Sequence, residues 1–146
     1  MENVTCKVTL LKDSAGNEGC MPVYGTARAA GADLYLPRDV TVPANSKVEW
    51  IDLLVCFELP PNAALLLMPR SSTSRKWAVS CESGLIDSDY TGPLHCSLIN
   101  YSGEDAFIPK GTRVAQVVAF SPLNMLALER KAVARDCKTG SGSTGD

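Results

Sequence analysis

Three loops of this chain gather polar side chains in an order that its composition does not require. Ala30-Gly31-Ala32-Asp33-Leu34 sets a carboxylate at the head of an apolar run, after a glycine that lets backbone come close to something. Alone, it also reads as an ordinary turn aspartate. Pro69-Arg70-Ser71-Ser72-Thr73-Ser74-Arg75-Lys76 concentrates hydroxyls and three cations behind the apolar run Ala63 to Met68. Such a mixture suits a phosphate chain, because guanidinium forks and hydroxyls both donate to phosphate oxygens; its alternative is a solvated polar loop. The third, Gly84-Leu85-Ile86-Asp87-Ser88-Asp89-Tyr90-Thr91-Gly92-Pro93-Leu94, is the most specific. Apolar flanks enclose two carboxylates and a tyrosine, the pattern of a hairpin with a chemically loaded tip. It lacks the length and the terminal bidentate glutamate of an EF-hand calcium loop. Near the C-terminus, Thr139 to Gly145 is either a flexible tail or a glycine-rich cover presenting several N–H groups to one anion.

Those loops must be held by short apolar elements. Proline and glycine cut the chain into segments that keep no 3.6-residue period for long, so helix is scarce. Expected strands are Val4 to Leu11, Ala32 to Leu36, Lys47 to Phe57, Ala63 to Met68, Leu94 to Asn100, Ala106 to Ile108 and Arg113 to Phe120. The one helical segment, Thr73 to Val79, is a satellite rather than a layer, and no internal repeat is present. Many short strands separated by turn clusters predict an all-β sandwich or barrel. Composition changes after residue 135, which divides the chain into a β domain over 1–135 and a Gly/Ser-rich tail over 136–146.

Composition excludes several classes of function. At 146 residues the chain is the size of one domain, without room for a separate cofactor domain. With 45% apolar and 21% charged residues it can bury a core. A net charge of -2 supplies no basic field for a nucleic-acid backbone. The longest apolar run is Ala63 to Met68, too short to cross a bilayer, and Met1-Glu2-Asn3 lacks signal-peptide character. An intracellular protein, in cytoplasm or nucleus, is expected. The six cysteines form no C-x-x-C pair and read as reduced thiols. A single histidine, His95, excludes multi-histidine metal sites and reads as structural.

Asp33 with its neighbours, the Pro69-Arg70-Ser71 turn, Gly84 to Leu94, Arg113-Val114-Ala115-Gln116 and Gly142-Ser143-Thr144-Gly145 resemble, in order and approximate spacing, the five motifs of trimeric dUTP pyrophosphatases (dUTPases). The resemblance runs from about Ala30 to the end of the chain. It implies a jelly-roll β-sandwich or distorted barrel with at most one short helix, and a homotrimer with active sites between subunits. It further implies Mg²⁺-dependent cleavage of dUTP to dUMP and pyrophosphate, which keeps uracil out of DNA. Position by position, Asp33 would hold the magnesium through water, while Arg70, Ser71 and Ser72 would grip the phosphates. Asp87 would orient the attacking water, and Gln116 would help bind phosphate and water. Gly84, Leu85, Ile86 and Leu94 would read the uracil edge, Tyr90 would exclude a 2′-hydroxyl, and Gly142, Ser143 and Thr144 would cover the phosphates. An aspartate is a weak base at neutral pH, so Asp87 should share the proton late, and most of the rate must come from charge stabilisation.

The pattern departs from the family at several points. Ser72 replaces a glycine, and the segment between Arg70 and Gly84 is about two residues short. Cys81 stands where an asparagine commonly helps bind uracil. In the tail, Ser141 and Asp136 stand where the family has a stacking aromatic and a phosphate-binding arginine; Arg135 lies one position away. These changes keep two alternatives open. One is a catalytically weak or inactive interaction module of the same fold with an unidentified protein partner, as in some virus-encoded relatives; a viral origin for this chain stays open with it. The other is a dCTP deaminase, whose chemistry needs a glutamate on the strand after the hairpin, whereas none occurs between Glu82 and Glu104.

Overall fold

The computed structural model describes residues 3–121 and 127–130. Eleven strands and one helix follow in the order β1 (Lys7–Leu10), β2 (Val23–Tyr24), β3 (Ala32–Tyr35), β4 (Val40–Val42), β5 (Lys47–Glu58), β6 (Ala64–Pro69), α1 (Ser71–Trp77), β7 (Val79–Cys81), β8 (Gly84–Ile86), β9 (Pro93–Asn100), β10 (Ala106–Ile108) and β11 (Arg113–Phe120). They form sheets ordered β1-β5-β9-β7, β2-β3-β11-β6-β8 and β10-β4, with every pairing antiparallel. This is the all-β sandwich expected from the short apolar segments.

Strand alternation builds the core. Along β9, Leu94, Cys96, Leu98 and Asn100 face inward while their neighbours face out. Leu94, Cys96 and Leu98 meet Leu34, Leu36, Ile51, Leu53, Leu67, Val79, Ile108, Val114 and Val117 in one apolar cluster. Asn100 is the buried polar member, and all four of its amide valences are used. Its Nδ2 donates to the carbonyls of Val42 at 2.9 Å and Glu104 at 2.8 Å, and its Oδ1 accepts from the Ser102 N–H and hydroxyl at 2.9 Å each. It therefore ties β9 to β4 and to the loop before β10 without leaving an orphaned group.

Two irregularities of β5 matter for the site. Between Val48 and Ile51 the strand carries one residue more than β9 opposite, a bulge, and Trp50 within it has φ +54°. A second shift, between Asp52 and Cys56, contains Leu54 at φ +56°. For an L-residue the left-handed region costs about 1–2 kcal/mol, and the Asp52 carboxylate offsets part of this by accepting the Leu54 N–H at 2.7 Å.

Three expectations are corrected. The helix spans Ser71–Trp77, two residues earlier than Thr73 to Val79, because Ala78 turns left-handed at φ 53°, donates its N–H to Ser74 and stops the helix. Val79 then opens β7. The segment Gly84 to Leu94 is not a paired hairpin: β8 pairs with β6 in one sheet and β9 with β5 and β7 in the other. Its tip therefore bridges the two layers. Val4 to Leu11 forms a strand only from Lys7, and Lys12 pairs instead with Glu18 across the following turn.

Candidate functional site

The first cluster lies where β3, β11 and the end of β6 run side by side. Asp33 stands directly opposite Gln116, and Gln116 opposite Met68, so aspartate and glutamine are cross-strand neighbours. Arg70 leaves the sheet just after β6 and turns back onto Asp33, donating Nε to Oδ1 at 2.6 Å. Arg113, at the head of β11, donates Nη1 to Oδ2 at 3.1 Å. The Asp33 side chain is only 8% exposed and that of Arg70 19%, while Arg113 is 47% exposed, so a buried carboxylate is held between one largely buried guanidinium and one that reaches solvent.

A register shift in β11 between Arg113 and Ala115 helps assemble this cluster. The Arg113 carbonyl accepts both Arg70 Nη1, at 3.1 Å, and the Thr73 hydroxyl, at 2.9 Å. Thr73 is the buried residue of α1, so one carbonyl fixes both the arginine and the helix that carries the exposed Ser71 and Ser72. Gln116 donates Nε2 to the Pro69 carbonyl at 2.9 Å, which leaves its Oε1 toward Gly31. A Cβ at position 31 would sit 2.7 Å from that oxygen; the glycine is what lets the β3 entry pass over the amide. These groups line a cavity of about 330 Å³ containing Gly31, Asp33, Arg70, Ser71, Ser72, Arg113 and Gln116. Two arginines, two hydroxyls and an amide around one carboxylate form a receptor for an anion with several oxygens.

The second cluster belongs to the tip between β8 and β9. Asp87 is exposed, and its carboxylate makes no hydrogen bond among the described residues, so it is free to orient a water or hydroxyl. Its carbonyl accepts the Tyr90 N–H at 3.2 Å, which closes a tight turn. The Tyr90 hydroxyl donates to the Pro93 carbonyl and pins the ring. Gly92 makes that fold possible, since a Cβ there would meet the Tyr90 oxygen at 3.0 Å. Trp50, Leu67, Gly84, Leu85, Ile86, Asp87, Tyr90, Leu94 and His95 line a mostly apolar cavity of about 270 Å³.

No residue lines both cavities. Asp33, Arg70, Ser71, Ser72 and Gln116 come together in the first, and Gly84, Leu85, Ile86, Asp87, Tyr90 and Leu94 in the second. The structure does not bring these two sets together within one chain. Gly142, Ser143 and Thr144, with Ser141 and Asp136, lie outside the described residues.

Cys81 lines neither cavity. It is buried, donates to the Glu82 carbonyl at 3.1 Å, and accepts from the Cys96 thiol. That bond from Cys96 holds Cys81 below the ordinary thiol range, while the same bond, with burial, pushes Cys96 well above it. Sequence reasoning missed Arg113 and Trp50 as site residues. Arg113 stands out in the sequence only as the first residue of its motif, and Trp50 reaches the second cavity only through the β5 bulge, for which apolar alternation gives no sign.

A magnesium ion fits the first cavity through water. Each Asp33 oxygen has accepted one guanidinium donor and retains a lone pair for a further one. The flanking cations oppose direct approach of a dication, and no three His, Cys, Asp or Glu side chains converge among the described residues. Direct ligands would therefore have to be phosphate oxygens, with Asp33 gripping the ion's water shell.

Comparison with known proteins bears on this arrangement. The dUTPase family model matches residues 17–145. The deoxyuridine 5'-triphosphate nucleotidohydrolase of Yarrowia lipolytica is 36% identical over 115 residues, spanning 79% of this chain and 70% of that protein. Its counterpart from Hydrogenobaculum sp. is 32% identical over 140 residues, 93% of this chain and 97% of the other. The dUTPase from phage phi11 of S. aureus superposes with a TM-score of 0.75 at 23% identity, covering 91% of this chain and 99% of that one.

Proposed function

This chain belongs to the dUTPase family and hydrolyses dUTP to dUMP and pyrophosphate, and from that premise we propose that each active site joins the phosphate cluster of one subunit to the base cluster of another. The observation that carries this reading is the division of the site into two cavities with no shared residue. A closed ring of three identical chains places two different patches of one subunit against two neighbours, and so completes every site.

In such a site Arg70, Arg113, Ser71 and Ser72 bind the phosphate chain, and Asp33 holds the water shell of Mg²⁺. The bound ion neutralises charge that builds on the phosphate oxygens. Gln116 presents its amide to phosphate or water. Asp87 orients the water toward the α-phosphorus and takes its proton late in the step. Tyr90, pinned to Pro93, packs on the deoxyribose where a 2′-hydroxyl would lie, and the backbone of β8 and of β9 at Leu94 reads the uracil edge. Gly142, Ser143 and Thr144, in the Gly/Ser-rich tail 136–146 that follows the domain 1–135, bind the phosphates of a neighbouring subunit's site. The enzyme works inside the cell, in cytoplasm or nucleus, limiting uracil incorporation into DNA. It requires neither nucleic acid nor membrane as a partner.

The deaminase alternative is not favoured. The inward-facing residues of β9 are Leu94, Cys96, Leu98 and Asn100, none of which is the glutamate that proton shuttling requires. The interaction-module alternative is disfavoured by the Asp33–Arg70–Arg113 cluster, whose buried carboxylate an inert fold has no need to keep.

The first test is pyrophosphate release from dUTP, dCTP, dTTP and UTP, with and without Mg²⁺; release from dUTP that depends on the ion is expected. The second mixes two inactive variants, Arg70→Ala and Asp87→Asn, as co-expressed chains. Sites shared between subunits restore about a quarter of the wild-type rate, because some interfaces pair an intact Arg70 with an intact Asp87. Sites contained within one chain restore nothing, and that result overturns the shared-site reading.

A further inference from the structure

Trp50 is 74% exposed, an unusual exposure for so large an apolar surface. It sits at the extra residue of the β5 bulge, in the left-handed backbone region that favours glycine. Its ring lies edge-on to His95, with centroids 5.2 Å apart and planes at 69°, and it lines the same cavity as Leu85, Asp87 and Tyr90. Neither the bulge nor the exposure serves the core: Trp50 is absent from the apolar cluster and from the partly buried residues packed on it. A strained backbone presenting an exposed aromatic at the rim of an apolar cavity points to a ligand with a flat face.

We infer that Trp50 is a base-binding residue that stacks on the pyrimidine held by the backbone of β8 and β9. The inference rests on the reading of the second cavity as the base site. The bulge turns the side chain out of the ladder to the cavity rim, and His95 braces one part of the ring while most of it remains available. Since every nucleobase has a π-face, Trp50 supplies affinity for the base, while discrimination among bases stays with the backbone groups.

The chain has two tryptophans, so Trp77→Phe leaves Trp50 as the only indole reporter. In that variant dUMP should quench the emission with saturation, while inorganic tripolyphosphate, which lacks a base, should leave it unchanged. Trp50→Ala should weaken dUMP binding roughly 5- to 150-fold. Trp50→Phe should recover most of the loss, and deoxyribose 5-phosphate should bind wild type and Trp50→Ala equally. Melting curves of Trp50→Ala and Trp50→Gly guard against a folding defect, since a residue kept for stability would lower the melting temperature in both. If dUMP binds Trp77→Phe without altering its emission and binds Trp50→Ala as tightly as wild type, the inference is overturned and the function stands. If the wild-type protein neither turns over dUTP nor binds dUMP, the functional reading falls, and this inference with it.

Discussion

Replacing Gly31 by alanine tests how closely the phosphate cluster depends on backbone packing. The added methyl would lie 2.7 Å from Gln116 Oε1 and 3.2 Å from Gln116 Cβ and Cδ. The β-carbon cannot yield, because Gln116 is paired on both sides, with Asp33 of β3 and Met68 of β6. The amide must therefore rotate away and give up its 2.9 Å bond to the Pro69 carbonyl. A lost hydrogen bond of about 0.5–1.5 kcal/mol and a distorted rotamer of about 0.5–1.5 give roughly 1–3 kcal/mol of destabilisation. The displaced amide also no longer faces the cavity, and losing one hydrogen bond to a charged oxygen lowers kcat/KM for dUTP roughly 10- to 150-fold. The assay is a double-mutant cycle with Gln116→Ala, following both melting temperature and kcat/KM. Once the amide is gone, the 2.7 Å contact with Oε1 and the 3.2 Å contact with Cδ disappear and only the 3.2 Å contact with the β-carbon of position 116 remains, so the second substitution should cost less than it does alone, and a coupling of about 1 kcal/mol is expected. Additive effects in the cycle, or a Gly31→Ala enzyme within twofold of wild type, would refute the reasoning.

Other outcomes follow from the same geometry. Asp87→Asn should abolish turnover yet leave trimer formation and dUMP binding largely intact, as read by single-turnover kinetics and sedimentation; a tenth of the wild-type rate remaining would remove Asp87 from its water-positioning role. Tyr90→Ala should narrow the ratio of kcat/KM between dUTP and UTP, because the pinned ring no longer occupies the space of a 2′-hydroxyl; an unchanged ratio makes Tyr90 a turn residue only. Asn100→Ala should destabilise the fold by roughly 2–4 kcal/mol in denaturant titration, since four satisfied hydrogen bonds are broken around a buried site, while kcat below the melting transition stays near wild type.

The architecture was legible because the long strands carry their own signals. β5, β6, β9 and β11 are Val-, Ile-, Leu- and Phe-rich runs bounded by turns, and each appears within a few residues of its expected limits. β2, β4, β7 and β8 have two or three residues each, too few for any period to emerge; β2, β7 and β8 form on the free edges of the longer β3, β9 and β6, and β4 pairs with the equally short β10. The Gly84 to Leu94 segment looked like a hairpin because apolar arms flank a polar turn. Its arms separate because Leu65, Leu66 and Leu67 of β6 pair with one, while β5 and β7 capture the other. At the site, composition identified the carboxylates and Arg70 as chemically able groups, but only the β11 register shift reveals how the Arg113 carbonyl and guanidinium serve the same cluster.

Trp50 and the tail bear on one energetic question. In the family pattern an aromatic on the tail covers the base, and ordering that tail costs conformational entropy in each binding event. This chain has Ser141 at that place and a tryptophan at an unrelated one, on a strand already folded. A bulge with a left-handed tryptophan keeps about 1–2 kcal/mol of strain in the protein whether or not ligand is bound, against a stacking gain of about 1–3 kcal/mol when the base arrives. The strain is permanent, but the ring needs little further ordering, so binding retains most of the stacking gain. Comparing Trp50→Ala with Trp50→Gly separates the two quantities: both lose the ring and bind dUMP equally weakly, but glycine tolerates the left-handed backbone, so it should be the more stable of the two by about 1 kcal/mol. Equal stabilities would mean that the bulge relaxes once the ring is removed, and that the ring, rather than the pairing of β5 with β9, holds the backbone in its left-handed turn.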